Sequence, residues 1–175
     1  MKKIILLLAF ILSANVFAQI HNPVKWSTSV VAVSDTKYDL VIQATIDDGW
    51  HLYSQSVPEN GPVPTAFTFS KNANYELIGK PSEEKGHTVN DPIFEMKIKF
   101  FEGKAVFKQR INVLSKKAFK ISGEVEFMVC DDANCLPPSY VDLNFQIPET
   151  TMAGAVQTKE IEKAENIRLR YFELK

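Results

Sequence analysis

Along much of this 175-residue chain, apolar residues recur at every second position, the spacing of strands with one buried face. In "YDLVIQATI", Tyr38, Leu40, Ile42, Ala44 and Ile46 fall on one side, with Asp39, Gln43 and Thr45 on the other. "FEMKIKF" sets Phe94, Met96, Ile98 and Phe100 against Glu95, Lys97 and Lys99. After "EGK" the alternation resumes with Ala105, Phe107, Ile111 and Val113, which predicts a hairpin turning at Gly103. "YVDLNFQI" alternates Val141, Leu143, Phe145 and Ile147 with Asp142, Asn144 and Gln146. Further strands are expected at 24–33, 50–55, 65–70, 75–80 and 119–130. About seven to nine short strands joined by polar turns predict an all-β, immunoglobulin-like antiparallel β-sandwich.

Two stretches interrupt the alternation. "PSEEKGHTVNDP", residues 81–92, is polar and bounded by prolines, which predicts a protruding loop. Beyond a linker at 148–156, Ile161, Ala164, Ile167, Tyr171 and Leu174 recur at helical spacing, so a short amphipathic C-terminal helix is expected.

The beginning of the chain has a different logic. Lys2 and Lys3 precede an apolar run from Ile4 to Ile11, and Val16 and Ala18 suit the small-residue positions of a cleavage site. The run is shorter than the roughly 20 apolar residues needed to span a bilayer. The expected organisation is a signal peptide at 1–18, a single domain at 19–150, and a linker and tail at 151–175. No cysteine follows the cleavage region, which argues against a lipid anchor, and the layout points to export into the periplasm. Twenty Lys+Arg stand against 21 Asp+Glu, and no basic excess suggests nucleic acid.

The chemistry concentrates in "VCDDANCLPP", which holds both cysteines of the chain, Cys130 and Cys135. Val125, Phe127 and Val129 form the apolar side of their strand, so parity puts Cys130 on the other side, looking outward. Closing so short a ring contributes only about 2 kcal/mol in the chain-entropy treatment, against about 4.7 for a loop of 100 residues. A staple for stability would do more almost anywhere else. A disulfide in an exposed turn suits exchange with an outside thiolate. Asp131 and Asp132 beside Cys130 disfavour a second negative charge on sulfur, making the thiol a slow nucleophile. Pro137 and Pro138 stiffen the chain behind Cys135. Zinc is the competing chemistry, with His51 and His87 as the remaining ligands, although the cysteine spacing is wide for a zinc pair. A disulfide that only braces a turn, in a domain that binds protein or glycan through its loops, is the other alternative. No hydrolase arrangement, phosphate-cradling loop or distinct acid/base pair stands out.

The ordered set "DDGWHLYSQ" at 47–55, "GP.PT" at 61–65, "GK" before the polar segment and "VEFMVCDDANCLPP" at 125–138 resembles the amino-terminal periplasmic domain of DsbD, the thiol:disulfide interchange protein. The resemblance runs from about Trp26 to Ile147. It implies an immunoglobulin-like sandwich whose Cys130/Cys135 pair relays electrons without a bound cofactor. Its expected partners are thioredoxin-like periplasmic proteins, including disulfide isomerases and cytochrome c maturation proteins. It also implies that Cys135 forms the mixed disulfide and that Tyr53 lies near the site. Two features depart from the family pattern: four residues separate the cysteines rather than five, and the acidic pair Glu83 and Glu84 is followed by Lys85, Gly86 and His87 rather than by an aromatic. His87 is the candidate cover for the sulfurs. Because the chain ends after this one domain, a separate membrane protein is the expected electron donor, and the direction of transfer stays open.

Overall fold

The computed structural model describes residues 22–149. The expected signal peptide and amphipathic tail lie outside the described residues. Among the described residues eleven strands follow one another: β1 (Val24–Ala32), β2 (Lys37–Ile46), β3 (His51–Tyr53), β4 (Ala66–Phe69), β5 (Tyr75–Glu83), β6 (His87–Asp91), β7 (Met96–Phe101), β8 (Lys104–Val113), β9 (Phe119–Phe127), β10 (Val129–Cys130) and β11 (Ser139–Ile147). All pairings are antiparallel, in the orders β1-β2-β8-β5, β10-β3-β7-β6 and β11-β9-β4. The class is the predicted one, an all-β immunoglobulin-like sandwich.

The period-two faces build the core. Tyr38, Leu40, Ile42, Ala44 and Ile46 of β2 meet Ala105, Phe107, Ile111 and Val113 of β8 and Leu143, Phe145 and Ile147 of β11 in one buried cluster. Phe107 lies between the layers, its ring centroid 5.0 Å from that of Phe67, 5.6 Å from Phe101 and 6.1 Å from Trp26. Leu52, Phe101 and Val129 carry one face of the β10-β3-β7-β6 sheet into the same cluster. Residues alternate faces along a strand, so the other face of that sheet points away from the main core.

Two expectations are corrected. Gly103 does sit in a turn, with φ of 64°, but β7 and β8 are not a hairpin. β7 pairs with β3 and β6, whereas β8 pairs with β2 and β5. The adjacent Phe100 and Phe101 mark the change: Phe100 keeps the outer face of its sheet while Phe101 turns into the main core. The second correction concerns 81–92, which is largely strand rather than a protruding loop. β5 reaches Glu83 and, after a three-residue link, β6 pairs with β7 from His87 to Asp91. β6 is an edge strand exposed along most of its length, so its polar sequence costs little there. The link passes close over β7, and a Cβ on Gly86 would lie 2.5 Å from the Phe100 carbonyl oxygen.

On the outer face of β2 and β8, Asp39 lies opposite Arg110 in register and accepts both Nε and Nη2 hydrogen bonds, the latter at 3.0 Å. The hydrogen bond from Arg110 holds the Asp39 carboxyl below its ordinary range despite burial, which opposes it. A carboxylate with a lowered native pKa contributes stability above its unfolded value, and that contribution is lost as pH falls through the native one. In urea titrations, Asp39→Asn should therefore be less stable than the parent at pH 7, with the gap narrowing below about pH 4. A gap constant between pH 7 and pH 3 would contradict this.

Candidate functional site

Met128 interrupts the ladder between β9 and β10, and the chain then makes a tight reversal. The Asp131 amide donates to the Asn134 carbonyl at 2.9 Å, and Leu136 N to Val129 O at 3.0 Å. The Asp131 carboxylate accepts from the amides of Ala133 (2.8 Å) and Asn134 (2.6 Å), the Asx arrangement that stabilises such turns. These two backbone hydrogen bonds hold its carboxyl below the ordinary range. The turn brings Cys130 and Cys135 together as a disulfide. Asp131 thus folds the turn, while Asp132 is exposed.

Cys130 is not outward-looking in the sense of being exposed: its relative exposure is 0%. The parity argument placed it on the correct face, but that face is covered. Tyr53, Ile98 and Phe100 form a second buried cluster with Cys130, and Val57, Phe94, Met96, Met128 and Cys135 pack against it. Cys135 and Leu136 are partly exposed, and Pro137 and Pro138 after them are exposed. One sulfur residue is therefore sealed and the other borders solvent.

The cover is tied down by one buried polar contact. Tyr53, fully buried in β3, donates its hydroxyl to Asp91 Oδ2 at 3.0 Å. The other oxygen of Asp91 accepts from the amides of Ile93 (2.9 Å) and Phe94 (3.0 Å), which shapes the turn between β6 and β7. That turn delivers the Phe94 ring edge-on to Tyr53, centroids 6.0 Å apart. Burial, then the hydrogen bond to Asp91, raises the Tyr53 phenol, so it stays a donor.

The remaining predicted residues have other places. Glu83 accepts from Ser54 Oγ (2.5 Å), Gln55 N (2.9 Å) and Lys99 Nζ (2.8 Å), tying the chain after β3 to β5 and β7. Burial raises its carboxyl, but the Gln55 amide, Lys99 and Ser54 together outweigh that and leave it below the ordinary range. Glu84 is exposed and offers its carbonyl to Lys99 Nζ at 3.0 Å. His87 is exposed on β6, its ring 6.3 Å from that of Phe100. Among the described residues no group of three or more His, Cys, Asp or Glu side chains converges as a metal site, and no helix is long and apolar enough to cross a membrane.

Asp91, Phe94, Met96 and Met128 were missed as site residues. The alternation in "FEMKIKF" was legible, but a second small core cannot be told from the main one by spacing. The Asp-Pro step at 91–92 is a turn signal that pointed to the right place.

Residues 22–147 match the family described as "Thiol:disulfide interchange protein DsbD, N-terminal". No curated protein matches the chain. Among solved structures, the reduced DsbD N-terminal domain of Neisseria meningitidis is 18% identical, with a TM-score of 0.45, over 71% of this chain and 86% of that one. The complex between the DsbD N-terminal and PilB N-terminal domains of the same organism gives 19% identity and a TM-score of 0.43, over 70% of this chain and 81% of that one. The N-terminal periplasmic domain of ScsB from Proteus mirabilis gives 15% and 0.46, over 69% of this chain and 44% of that one. With the match spanning the disulfide and the strands that hold it, the chain belongs to the DsbD N-terminal domain family.

Proposed function

We propose that this chain is a periplasmic thiol:disulfide exchange module that relays electrons through Cys130 and Cys135 to or from thioredoxin-fold partners. The observation that carries this reading is the asymmetry of the pair, with Cys130 sealed at 0% exposure and Cys135 at the rim. An incoming thiolate attacks the sulfur it can reach and expels the other. Cys135 is then the site of the mixed disulfide and Cys130 the leaving and resolving thiol. The sulfur pair itself serves as the redox group, with no added cofactor.

The Phe94 turn gives the relay its selectivity. Apolar cover over the pair slows small oxidants and reductants relative to a partner that displaces it, and the exposed Pro137 and Pro138 offer that partner a stiff edge beside Cys135. His87 stands at the rim of this cover, over Phe100.

Single-cysteine variants test the assignment. Cys130→Ser, mixed with an oxidised thioredoxin-fold protein from the same cell, should accumulate a disulfide-linked complex through Cys135, whereas Cys135→Ser should trap little. Equal trapping by both, or by neither, contradicts the relay and favours a binding domain whose disulfide braces a turn. The cover is tested by Tyr53→Phe, which removes the hydrogen bond to Asp91. A hydrogen bond to a charged group is worth about 1.5–3 kcal/mol, so oxidation of the reduced pair by hydrogen peroxide should quicken roughly tenfold or more. His87→Ala should change that rate far less. The reverse ranking would make His87 the cover.

A further inference from the structure

Cys130 faces His51 directly across the β10-β3 pair. Residues opposite one another in a ladder share a face, with Cβ atoms roughly 4.5–5.5 Å apart. On the far side of β3, Leu52 pairs with Phe101, so the next residue along, Glu102, falls beside His51. Its Oε1 lies 3.0 Å from His51 Nε2. Carboxylate, imidazole and sulfur residue thus form a row across three strands. The imidazole stacks on Phe100, centroids 4.3 Å apart and planes inclined by 24°, which fixes its orientation. Phe100 packs in the same cluster as Cys130.

This row answers a problem that the sealed sulfur creates. When an outside thiolate joins Cys135, Cys130 must leave as an anion inside an apolar cluster, where burial favours the neutral thiol. A proton has to arrive. The Tyr53 hydroxyl is committed to Asp91, Asp131 accepts from two turn amides, and Lys99 is bound to Glu83 and the Glu84 carbonyl. The groups of opposite charge that face an imidazolium at position 51 are Glu102, from the end of β7, and Asp131, from the turn after β10. Glu102 is half exposed, and an ion pair in that setting adds little stability. Orientation of the imidazole is the better account of it.

We propose that His51, oriented by Glu102, donates and accepts the proton of Cys130 during disulfide exchange, an inference that rests on the redox function argued above. In the reductive direction the partner's thiolate forms a bond to Cys135 Sγ, the disulfide of the pair breaks, and its electron pair stays on Cys130 Sγ. That sulfur takes a proton from the imidazolium. The partner's second thiolate then attacks its own sulfur in the mixed disulfide and releases Cys135 as a thiolate to solvent. In the oxidative direction the Cys135 thiolate attacks the partner's disulfide and expels one partner thiolate; His51 then takes the thiol proton of Cys130, whose thiolate bonds to Cys135 Sγ as the mixed disulfide breaks and the partner's other sulfur leaves as a thiolate. The His51 side chain, 17% exposed, exchanges its proton with water between steps. Nε2 faces Glu102, which leaves Nδ1 for this transfer.

The test is the rate at which dithiothreitol reduces the oxidised protein between pH 5.5 and 8.5, divided at each pH by the thiolate fraction of the reagent. In the parent, the normalised rate should rise on the acidic side as the imidazole takes up a proton. His51→Gln should flatten the profile and slow the acidic limb by about tenfold, a modest share of what a positioned acid contributes. Glu102→Gln, at an exposed position that folding tolerates, should shrink the acidic rise by loosening the orientation of the imidazole, and it decides the matter if His51→Gln fails to fold. Profiles in the variants that superimpose on a reactive parent would overturn the role of His51 and leave the relay standing. A parent that neither dithiothreitol nor a reduced thioredoxin-fold protein reduces at any pH in this range would remove both.

Discussion

A disulfide with one end sealed and the other at the rim is the constraint around which this molecule is organised. The sandwich supplies a rigid edge, and the Asp131 turn folds back on it so that Cys130 is buried in the cluster with Tyr53, Ile98 and Phe100 while Cys135 meets solvent. The ring is too short to be an efficient staple. Its placement instead decides which sulfur an outside thiol reaches.

That placement depends on using both faces of one sheet. Leu52, Phe101 and Val129 join the β10-β3-β7-β6 sheet to the main core, while Tyr53, Phe100 and Cys130 build a separate cluster on its back. The two clusters differ in permanence. The main core is enclosed by strands of three sheets, whereas the turn packed against the Cys130 cluster is fastened by the Tyr53 to Asp91 hydrogen bond and a few apolar contacts. Segments with few buried contacts open at lower free energy than the core. The proposed relay uses that difference, the core holding its shape while the turn opens.

Most of the architecture was legible from residue alternation. The inward faces of β2, β8 and β11 were read residue by residue, because a strand with one buried face leaves that imprint. The Gly103 hairpin failed because spacing along a chain does not say which strand is the neighbour, and Phe100 and Phe101 divide between two cores. The 81–92 segment was read as a loop because an edge strand needs no apolar face. At the site, parity put Cys130 on the correct side of its strand. It is buried in a cluster with Ile98 and Phe100, about 30 residues upstream, and Tyr53, farther still, and no local pattern announces that packing. His51 was visible as part of "GWHLY" and as a candidate zinc ligand; its place opposite Cys130 lies in the β10-β3 register, which sequence spacing does not contain.

The reduction potential of the Cys130/Cys135 pair, measured by equilibration against glutathione and thioredoxin buffers, bears most directly on the whole account. A relay should equilibrate at a potential between about −270 and −120 mV, the span of known thiol oxidoreductases, whereas a structural disulfide falls below about −300 mV. A value in the first range is the expected result. A pair that stays oxidised in every such buffer would make the disulfide a brace and leave the relay without a basis.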